Sequence, residues 1–323
     1  MNRDSFGTRE DMQKEQLRKI NQLLTVARKN PFYKKRLSAE FIDKDFTCVK
    51  QLSEAFPYLS KDEIAEDHKT NLPFGSNLTY DISEYNRFNQ TSGTTASPIR
   101  WLDDPESWQW MVENWKIILE QAGLKKGDRA MFAFSFGPFL GFWTAFDAAS
   151  QMGVLVIPGG GMTTNARLQA IVENQVNVLC CTPTYAMRLG EIAKEEKFDL
   201  SQSPVRTIVM AGEPGGSIDA TRTRIAKVWP NAKLFDHHGM TEVGPVSYQC
   251  PSASGSLHVI SSAYYAEVID PESGTKVQPG FIGELVLTTL GRHGSPAIRY
   301  RSGDYVMRGN RGELLLHNWS AWQ

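Results

Sequence analysis

The chain has 323 residues, enough for about two ordinary domains or one large α/β domain with a core that needs no disulfide. Lys and Arg number 35 and Asp and Glu 36, a net charge of −1, which excludes the sequence-independent nucleic-acid binding that needs surplus positive charge. The four cysteines form no CxxC pair, and the N-terminus is polar. We therefore expect a cytoplasmic protein without a disulfide scaffold, secretion signal or membrane span.

The first ninety residues are predicted to be mostly helical. Apolar residues recur at three- and four-residue steps over Leu17–Ala27, which indicates one helical stripe. Asn30-Pro31 should end that helix, since the residue before proline disfavours the α conformation. Ser60 and Glu63 have the spacing of a capping box at the start of a second helix. We expect residues 1–90 to form a helical segment that packs on the core.

Residues 91–250 alternate apolar runs with helical patterns. A helix is predicted to start at Pro105 and to end at Gly123. The predicted strands are Ala130–Phe136, Val154–Ile157, Val176–Cys181 and Val205–Ala211. Helical patterns at 165–174 and 185–197 separate them, and this alternation predicts a parallel sheet. Because ligands bind outside the carboxyl ends of such strands, the loops that follow them are the candidate site.

Shorter strands and turns dominate residues 251–323, as at Ala266–Ile269, Glu284–Thr289 and Tyr305–Arg308. They predict a small antiparallel β subdomain. The predicted fold class is therefore α/β, with parallel or mixed sheets flanked by helices and an antiparallel β addition.

The first chemical motif is rich in hydroxyl groups. It comprises Thr91, Ser92, Gly93, Thr94 and Thr95. Glycine lets the backbone approach a ligand closely, and hydroxyl and successive N–H groups can surround phosphate oxygens. By composition alone the segment is more typical of a surface loop than of a phosphate site.

The second motif, His237 to Glu242, follows the apolar pair Leu234-Phe235. Glu242 beside the Thr241 hydroxyl suits a hard divalent cation that bridges phosphates. His238 could stack on a base or simply pack in the structure. The third motif ends in Asp304, whose carboxylate could accept both hydrogen bonds of a ribose diol or could occupy an ordinary β-turn.

Taken together and in this order, the three motifs resemble the signature of the adenylate-forming superfamily, which includes acyl-CoA ligases, peptide-synthetase adenylation domains and luciferases. Further matching segments resemble the phenylacetate–CoA ligase-like branch. They are Asn30–Tyr33, Leu59–Lys61, Pro73–Gly75, Pro183–Tyr185 and Ala211–Pro214.

The resemblance implies that a carboxylate attacks the α-phosphate of ATP to give an acyl-adenylate and pyrophosphate, with Mg²⁺ present. The enzyme's task in that reaction is positioning and charge neutralisation. The residues implied at the nucleotide are Thr91 to Thr95 for the phosphates, Gly212, Glu213 and Pro214 for adenine, His238 beside adenine and Asp304 for ribose. Thr241 would touch the phosphate and Glu242 would hold the metal, which makes them the implied catalytic pair.

Aromatic residues crowd the segment after the first predicted strand. The expected substrate-pocket residues are Phe134, Phe136, Phe139, Tyr185 and Gly239. Aromatic walls suit a planar aryl acid, although each ring taken singly is more typical of a core. The chain is also similar in length and ending to a short member of the branch from phenazine antibiotic biosynthesis, which would imply a phenazine carboxylate as the acid.

Three departures from the family pattern qualify these expectations. The chain ends soon after Asp304, where relatives continue into a mobile C-terminal domain with a catalytic Lys. We therefore expect a natural short form that is slow alone or needs a partner protein, such as a reductase, a carrier or a C-terminal-domain protein. Ala96 replaces a usual glycine, which would strain a positive φ. Cys250 and His258 are only half of a family zinc site, so no zinc is expected.

These departures leave an alternative open: a non-catalytic protein that binds a nucleotide or an aryl acid. Analogy with the branch also predicts a homodimer.

Overall fold

The computed structural model describes residues 8–91, 98–251 and 255–309 and the backbone of 314–316. The chain forms two compact units. The first unit comprises Met1–Met111, Thr241–Gly244 and Val259–Asn310, and the second comprises Val112–Met240, Pro245–His258 and Arg311–Gln323. The division expected from the sequence, into 1–90, 91–250 and 251–323, stays a prediction.

The helices run over Arg9–Lys29 (α1), Pro31–Lys34 (α2), Gln51–Ala55 (α3), Lys61–Thr70 (α4), Pro105–Gln121 (α5), Trp143–Gln151 (α6), Thr164–Glu173 (α7), Pro183–Glu195 (α8) and Asp219–Val228 (α9). The strands run over Arg87–Gln90 (β1), Arg100–Asp103 (β2), Arg129–Phe132 (β3), Leu155–Pro158 (β4), Val178–Cys181 (β5), Thr207–Met210 (β6), Lys233–Asp236 (β7), Gly239–Met240 (β8), Gly244–Pro245 (β9), Ser247–Gln249 (β10), Ser256–Val259 (β11), Tyr264–Ile269 (β12), Ile282–Thr289 (β13), Tyr300–Arg308 (β14) and Leu314–Leu316 (β15). Within the described ranges, no helix is both long and apolar enough to cross a bilayer.

The helical starts and stops in the first unit follow the local sequence rules. The helix predicted over Leu17–Ala27 is confirmed as α1, and Asn30 ends it. The Asn30 side chain then accepts hydrogen bonds from the first turn of α2. Ser60 and Glu63 form the predicted capping box at α4. Each cap satisfies backbone N–H groups that have no partner inside the helix.

Antiparallel strands complete the first unit. β12, β13 and β14 pair in sequence, and the β13–β14 register shifts between Glu284 and Val286. β1 and β2 form a hairpin in which Gln90 lies opposite Arg100. The hairpin was not predicted, because its short strands are rich in polar residues and show little apolar alternation.

The second unit is built on a parallel sheet of strand order β4-β3-β5-β6-β7. The four predicted strands are confirmed, although β3 ends at Phe132 and not at Phe136. Leu179, Ile208 and Leu189 are fully buried in its core, with helices packed against the sheet. β11 pairs antiparallel with β15 in the same unit. The predicted α/β class, with a parallel sheet and antiparallel β structure, is confirmed.

Candidate active site

In the first unit, the β1–β2 hairpin presents the hydroxyl-rich motif. The Thr91 N–H donates to Ile99 O at 2.9 Å. The Ile99 N–H donates in turn to the Thr91 hydroxyl at 3.0 Å. These bonds close the neck of the segment and leave the Thr91 hydroxyl proton free to donate elsewhere. Ser92, Gly93, Thr94 and Thr95, together with Ala96, lie outside the described residues.

Glu242 is a buried carboxylate in the same unit, only 5% exposed. Its Oε1 accepts a hydrogen bond from the Tyr300 hydroxyl at 3.2 Å. The Lys61 ammonium lies 3.9 Å from the same oxygen. Burial, reinforced by the Glu242 charge, raises the pKa of Tyr300. The phenol therefore stays protonated and donates a hydrogen bond to the carboxylate. The carboxylate is thereby held in one position with a cation beside it.

A buried ion pair fixes the backbone at Thr241. Arg292 and Asp103 are both fully buried and pair through two bonds, Nε–Oδ1 at 2.6 Å and Nη2–Oδ2 at 2.7 Å. The remaining nitrogen, Nη1, donates to Thr241 O at 2.7 Å. One planar guanidinium therefore joins strand β2 to the Thr241–Glu242 backbone, which an ammonium could not do with the same geometry.

The chemistry of Glu242 fits the Mg²⁺ that the sequence motif implies. Within the described ranges, no three His, Cys, Asp or Glu side chains cluster as a protein-enclosed metal site would require. Mg²⁺ characteristically takes one or two carboxylates and completes its shell with water and substrate phosphates. Of the Glu242 carboxylate oxygens, only Oε1 is engaged by described residues. A single hard ligand beside a hydroxyl is therefore a suitable donor set.

Asp304 lies in a β-bulge and not in the turn that the sequence suggested as one alternative. Glu284 pairs with Tyr305 and Val286 with Arg301, so the single residue Leu285 of β13 lies opposite the three residues 302–304 of β14. Gly303, with φ +77°, allows this conformation. The Asp304 N–H donates to the Ser302 hydroxyl at 3.0 Å. Such bulges redirect side chains out of the regular strand, and they are common beside active sites.

In the second unit, the predicted adenine-lining segment follows β6. Gly212 has φ +91°, a conformation that favours glycine. The Glu213 carboxylate is engaged within the unit: its Oε1 accepts a hydrogen bond from the Thr184 backbone N–H at 2.6 Å. Thr184 lies in the first turn of α8, directly after β5, so this bond ties the start of that helix to the loop after β6. Pro214 is exposed.

The two neighbouring histidines have different environments. His237 is buried, its Nδ1–H donates to Ser247 O at 2.7 Å, and its ring lies 4.2 Å from that of Trp115. Burial lowers the pKa of His237 to about 3, so the ring is neutral. His238 is half-buried, and its N–H donates to the Ser247 hydroxyl at 3.2 Å. His237 is thus a core residue, whereas His238 and Gly239 are among the partly accessible residues of this motif.

The aromatic residues after β3 divide into two groups. Phe134 and Phe136 are half-buried, with ring centroids 4.2 Å apart, and Phe136 lies 4.7 Å from Trp143. Phe139 is 41% exposed. Tyr185, predicted for the same pocket, is half-buried and its hydroxyl donates to the Thr164 hydroxyl at 3.3 Å. Phe134, Phe136 and Tyr185 are thus partly accessible, whereas Phe139 is exposed.

The structure therefore assembles the predicted residues in two sets. Thr91, Thr241, Glu242 and Asp304 belong to the first unit, whereas 212–214, His238, Gly239 and the pocket aromatics belong to the second. Sequence reasoning missed Lys61, Tyr300 and Arg292 as neighbours of this site. Lys61 lies in a segment that carried the resemblance, so its charge was a usable signal. Arg292 gave no such signal, because its partner Asp103 is distant along the chain.

A parallel sheet with glycine-containing loops at its carboxyl edge is the architecture of α/β proteins that bind ligands at that edge. A family model described as AMP-binding enzyme matches residues 88–291. The chain belongs to this AMP-binding enzyme family.

Individual relatives agree with that assignment. The phenylacetate-coenzyme A ligase of Pseudomonas putida is 28% identical over 300 residues, which cover 91% of this chain and 66% of that protein. The ligase of the same name from Escherichia coli strain K12 is 29% identical over 307 residues, which cover 91% of this chain and 67% of that protein. This chain thus spans about two thirds of the length of these relatives.

The fold also matches a solved structure. The open conformation of 2-hydroxyisobutyryl-CoA ligase, in complex with 2-HIB-AMP and CoA, superposes with a TM-score of 0.89. The match covers 97% of this chain and 70% of that chain at 23% identity. A likeness at that identity establishes the shared fold.

Proposed function

We propose that this protein activates an aromatic carboxylic acid with ATP and Mg²⁺ to give an acyl-adenylate. The observation that carries the proposal is the buried Glu242 carboxylate, fixed by Tyr300 next to a Thr241 backbone that Arg292 holds. A buried, preorganised carboxylate is costly to maintain, and an adenylating enzyme has a use for it as a metal ligand. Membership of the AMP-binding family, with phenylacetate–CoA ligases among its relatives, supports the same reaction.

In the proposed reaction, one oxygen of the acid carboxylate forms a bond to the α-phosphorus of ATP. The bond from that phosphorus to the oxygen shared with the β-phosphate breaks, and pyrophosphate leaves with the electron pair. The metal supplies charge neutralisation on the phosphates. Glu242 would hold it, while the Thr241 hydroxyl and the Lys61 ammonium would bind phosphate oxygens. No general base is required, since the carboxylate is already ionised at neutral pH.

The remaining roles concern binding. Asp304 would accept hydrogen bonds from the ribose hydroxyls, and Gly212 to Pro214 and His238 would border the adenine ring. Thr91 to Thr95 would surround the phosphates. Phe134, Phe136, Phe139 and Tyr185, with Gly239, would border the acid, and aromatic walls favour aryl acids over small aliphatic ones.

The direct test is ATP–pyrophosphate exchange by the purified protein with Mg²⁺ and a panel of acids. The panel contains phenylacetate, benzoate and phenazine-1-carboxylate, with acetate as the aliphatic control. We expect exchange that depends on an aryl acid. If nucleotide binds in calorimetry but no acid supports exchange, with or without a candidate partner protein, the chain is a binding protein and the proposal fails.

Asp304→Ala tests the ribose role. Removing a charge-assisted pair of hydrogen bonds should weaken ATP binding by about 1–3 kcal/mol in calorimetry. Asp43→Ala, at an exposed position of the same unit, is the matched control and should leave binding unchanged. Equal affinities of the Asp304 variant and the wild type would contradict the site assignment.

Glu242→Gln tests the metal role. The variant keeps the shape of the side chain but loses the anion, so we expect the dependence of exchange on Mg²⁺ concentration to weaken more than the affinity for AMP. Glu272→Gln, at an exposed position of the same unit, is the control. A Glu242 variant with an unchanged Mg²⁺ dependence would remove this residue from the site.

The narrower expectations from the sequence belong to the same proposal. Phenazine carboxylates are candidates for the acid, and a partner protein and a homodimer remain predictions. Sedimentation velocity on the purified chain measures the assembly state directly.

A further inference from the structure

Arg167 lies outside every predicted motif, in the first turn of α7. Its Nε donates to Gly159 O at 2.8 Å. Its guanidinium carbon lies 4.9 Å from the centroid of the Tyr185 ring, over the ring face. Two independent contacts therefore fix the plane of the guanidinium, and one of them uses a residue predicted to border the acid.

The outer fork of this guanidinium is unused. Among the described residues, no acceptor lies within hydrogen-bonding distance of Nη1 or Nη2 of Arg167. Nη1 and Nη2 are not among the unpartnered polar atoms that are fully buried, and the Arg167 side chain is half-buried. Both nitrogens are therefore accessible to solvent. A planar fork with both donors free binds carboxylates through two parallel hydrogen bonds.

Arg167 and the aromatic cluster border one short segment. A Cβ on Gly159 would lie 3.4 Å from the Nε of Arg167, and a Cβ on Gly160 would lie 2.9 Å from a ring carbon of Phe136. Consecutive glycines thus pack against the Arg167 side chain and the Phe136 ring. A flat ligand that packs against Phe136 lies beside a fixed positive charge.

The strand order separates the Gly159 loop, which Arg167 contacts, from the predicted adenine-lining loop of the second unit. Gly159 follows β4, the edge strand, whereas Gly212 follows β6. Three strand spacings separate them in the sheet, or roughly 14 Å. A carboxylate that reacts with the α-phosphate must lie near the nucleotide. Arg167, held at the Gly159 loop, is therefore assigned to the end of the acid away from the predicted adenine-lining loop.

We infer that Arg167 binds a second anionic group, a carboxylate, carried by the aryl acid at the end distant from the reacting carboxylate. The inference rests on the proposed function, because it names the class of acid that the same site accepts: aryl dicarboxylates. Glu213, whose carboxylate is engaged near β6, disfavours the reverse orientation of the second charge through repulsion.

The test compares paired acids that differ at one substituent. The first pair is 4-carboxyphenylacetate and 4-methylphenylacetate. The second pair carries the same two alternative substituents, carboxylate and methyl, on the longer biphenyl framework. A charge-assisted hydrogen-bond pair corresponds to about 10- to 150-fold in kcat/KM. We expect the wild type to prefer one of the dicarboxylates over its methyl isostere by at least tenfold in pyrophosphate exchange.

Arg167→Gln should abolish that preference and leave the kcat/KM of the methyl acid within about threefold. Arg167→Lys should retain part of the preference, because it keeps the charge without the fork. Arg188→Gln, an exposed arginine of α8, is the matched control and should preserve the wild-type preference. An equal loss on both acids in Arg167→Gln would mean that Arg167 only supports the Gly159 loop, and it would overturn the inference.

A binding measurement separates this inference from the proposed function. Calorimetry of each acid pair with the protein, without ATP, reports the Arg167 contact whether or not turnover occurs. One outcome is that the chain shows no exchange but binds the dicarboxylate, and that Arg167→Gln weakens this binding tenfold. That outcome would support the Arg167 subsite and contradict the adenylating activity. Exchange with monocarboxylates, with no Arg167-dependent preference in either assay, would support the adenylating activity and contradict the Arg167 subsite.

Discussion

The two units bury polar groups in different ways. The first unit encloses fully paired charges, among them Arg292 with Asp103 and Arg299 with Glu267, at 6% side-chain exposure or less. The parallel sheet of the second unit packs on an apolar cluster that includes Leu179, Ile208 and Leu189. A buried ion pair carries a desolvation penalty but fixes the geometry of its charged groups. Apolar packing stabilises the fold without fixing the position of one polar atom relative to another.

The difference corresponds to the roles proposed for each unit. In the first unit the Arg292–Asp103 pair holds the backbone at Thr241, next to Glu242, which must keep a set position relative to a metal and phosphates. In the second unit the sheet provides a rigid base, and the loops at its carboxyl edge would carry the proposed contacts to the adenine and the acid. A charged framework is thus used where orientation matters most.

The sharpest way to break this comparison is Arg292→Met. The change leaves the buried Asp103 carboxylate and Thr241 O without their partner, so we expect the free energy of unfolding to fall by about 3–5 kcal/mol. Denaturant unfolding measures it. The double variant Arg292→Met/Asp103→Leu should recover most of the loss, because no unpaired charge remains. Arg188→Met, at an exposed pair, is the control, and a similar loss there would contradict the explanation.

Leu189→Ala tests the apolar side of the comparison. Leu189 is fully buried in the core of the second unit, and truncation should lower the free energy of unfolding by about 3 kcal/mol through lost transfer energy and a cavity. Leu155→Ala removes the same atoms from a side chain that is 59% exposed and should cost less than about 0.5 kcal/mol. Equal effects of the two changes would show that burial does not control stability here.

Burial of His237 in the second unit should make the free energy of unfolding depend on pH. Its pKa falls from 6.5 to about 3 on folding, so only the unfolded chain takes up a proton between these values. Stability is therefore full above pH 6.5 and is lost as the pH falls. Between pH 6.5 and 5.0 this histidine should remove about 2 kcal/mol. His237→Gln should remove that part of the pH dependence in denaturant unfolding, and identical pH slopes for both proteins would refute the assignment.

The smallest expected effect is local. Ser60→Ala removes one half of the capping box that starts α4, directly before Lys61. We expect a loss of about 1 kcal/mol in the free energy of unfolding. Ser135→Ala, at an exposed loop position, should change it by less than about 0.5 kcal/mol. If the Ser60 variant matches that control, the cap contributes nothing measurable.

Much of the fold could be predicted, because its signals are local. The α1 stripe, the Ser60 capping box and the strands of the parallel sheet each depend on residues a few positions apart. The β1–β2 hairpin was missed because short polar strands lack the alternation on which such predictions rest. Its register is set by pairing between strands on either side of the hydroxyl-rich segment, as at Gln90 and Arg100.

The candidate site divides in the same way. The sequence by itself determined the motifs around Thr91, Thr241, Glu242 and Asp304, because residue type and order express the chemistry that a nucleotide needs. Only the tertiary structure decided that His237 is a core residue while its neighbour is accessible, that Asp304 lies in a bulge, and that Arg292 holds Thr241. Burial, strand register and long-range pairing are properties of chain segments far apart in sequence, and no local pattern encodes them.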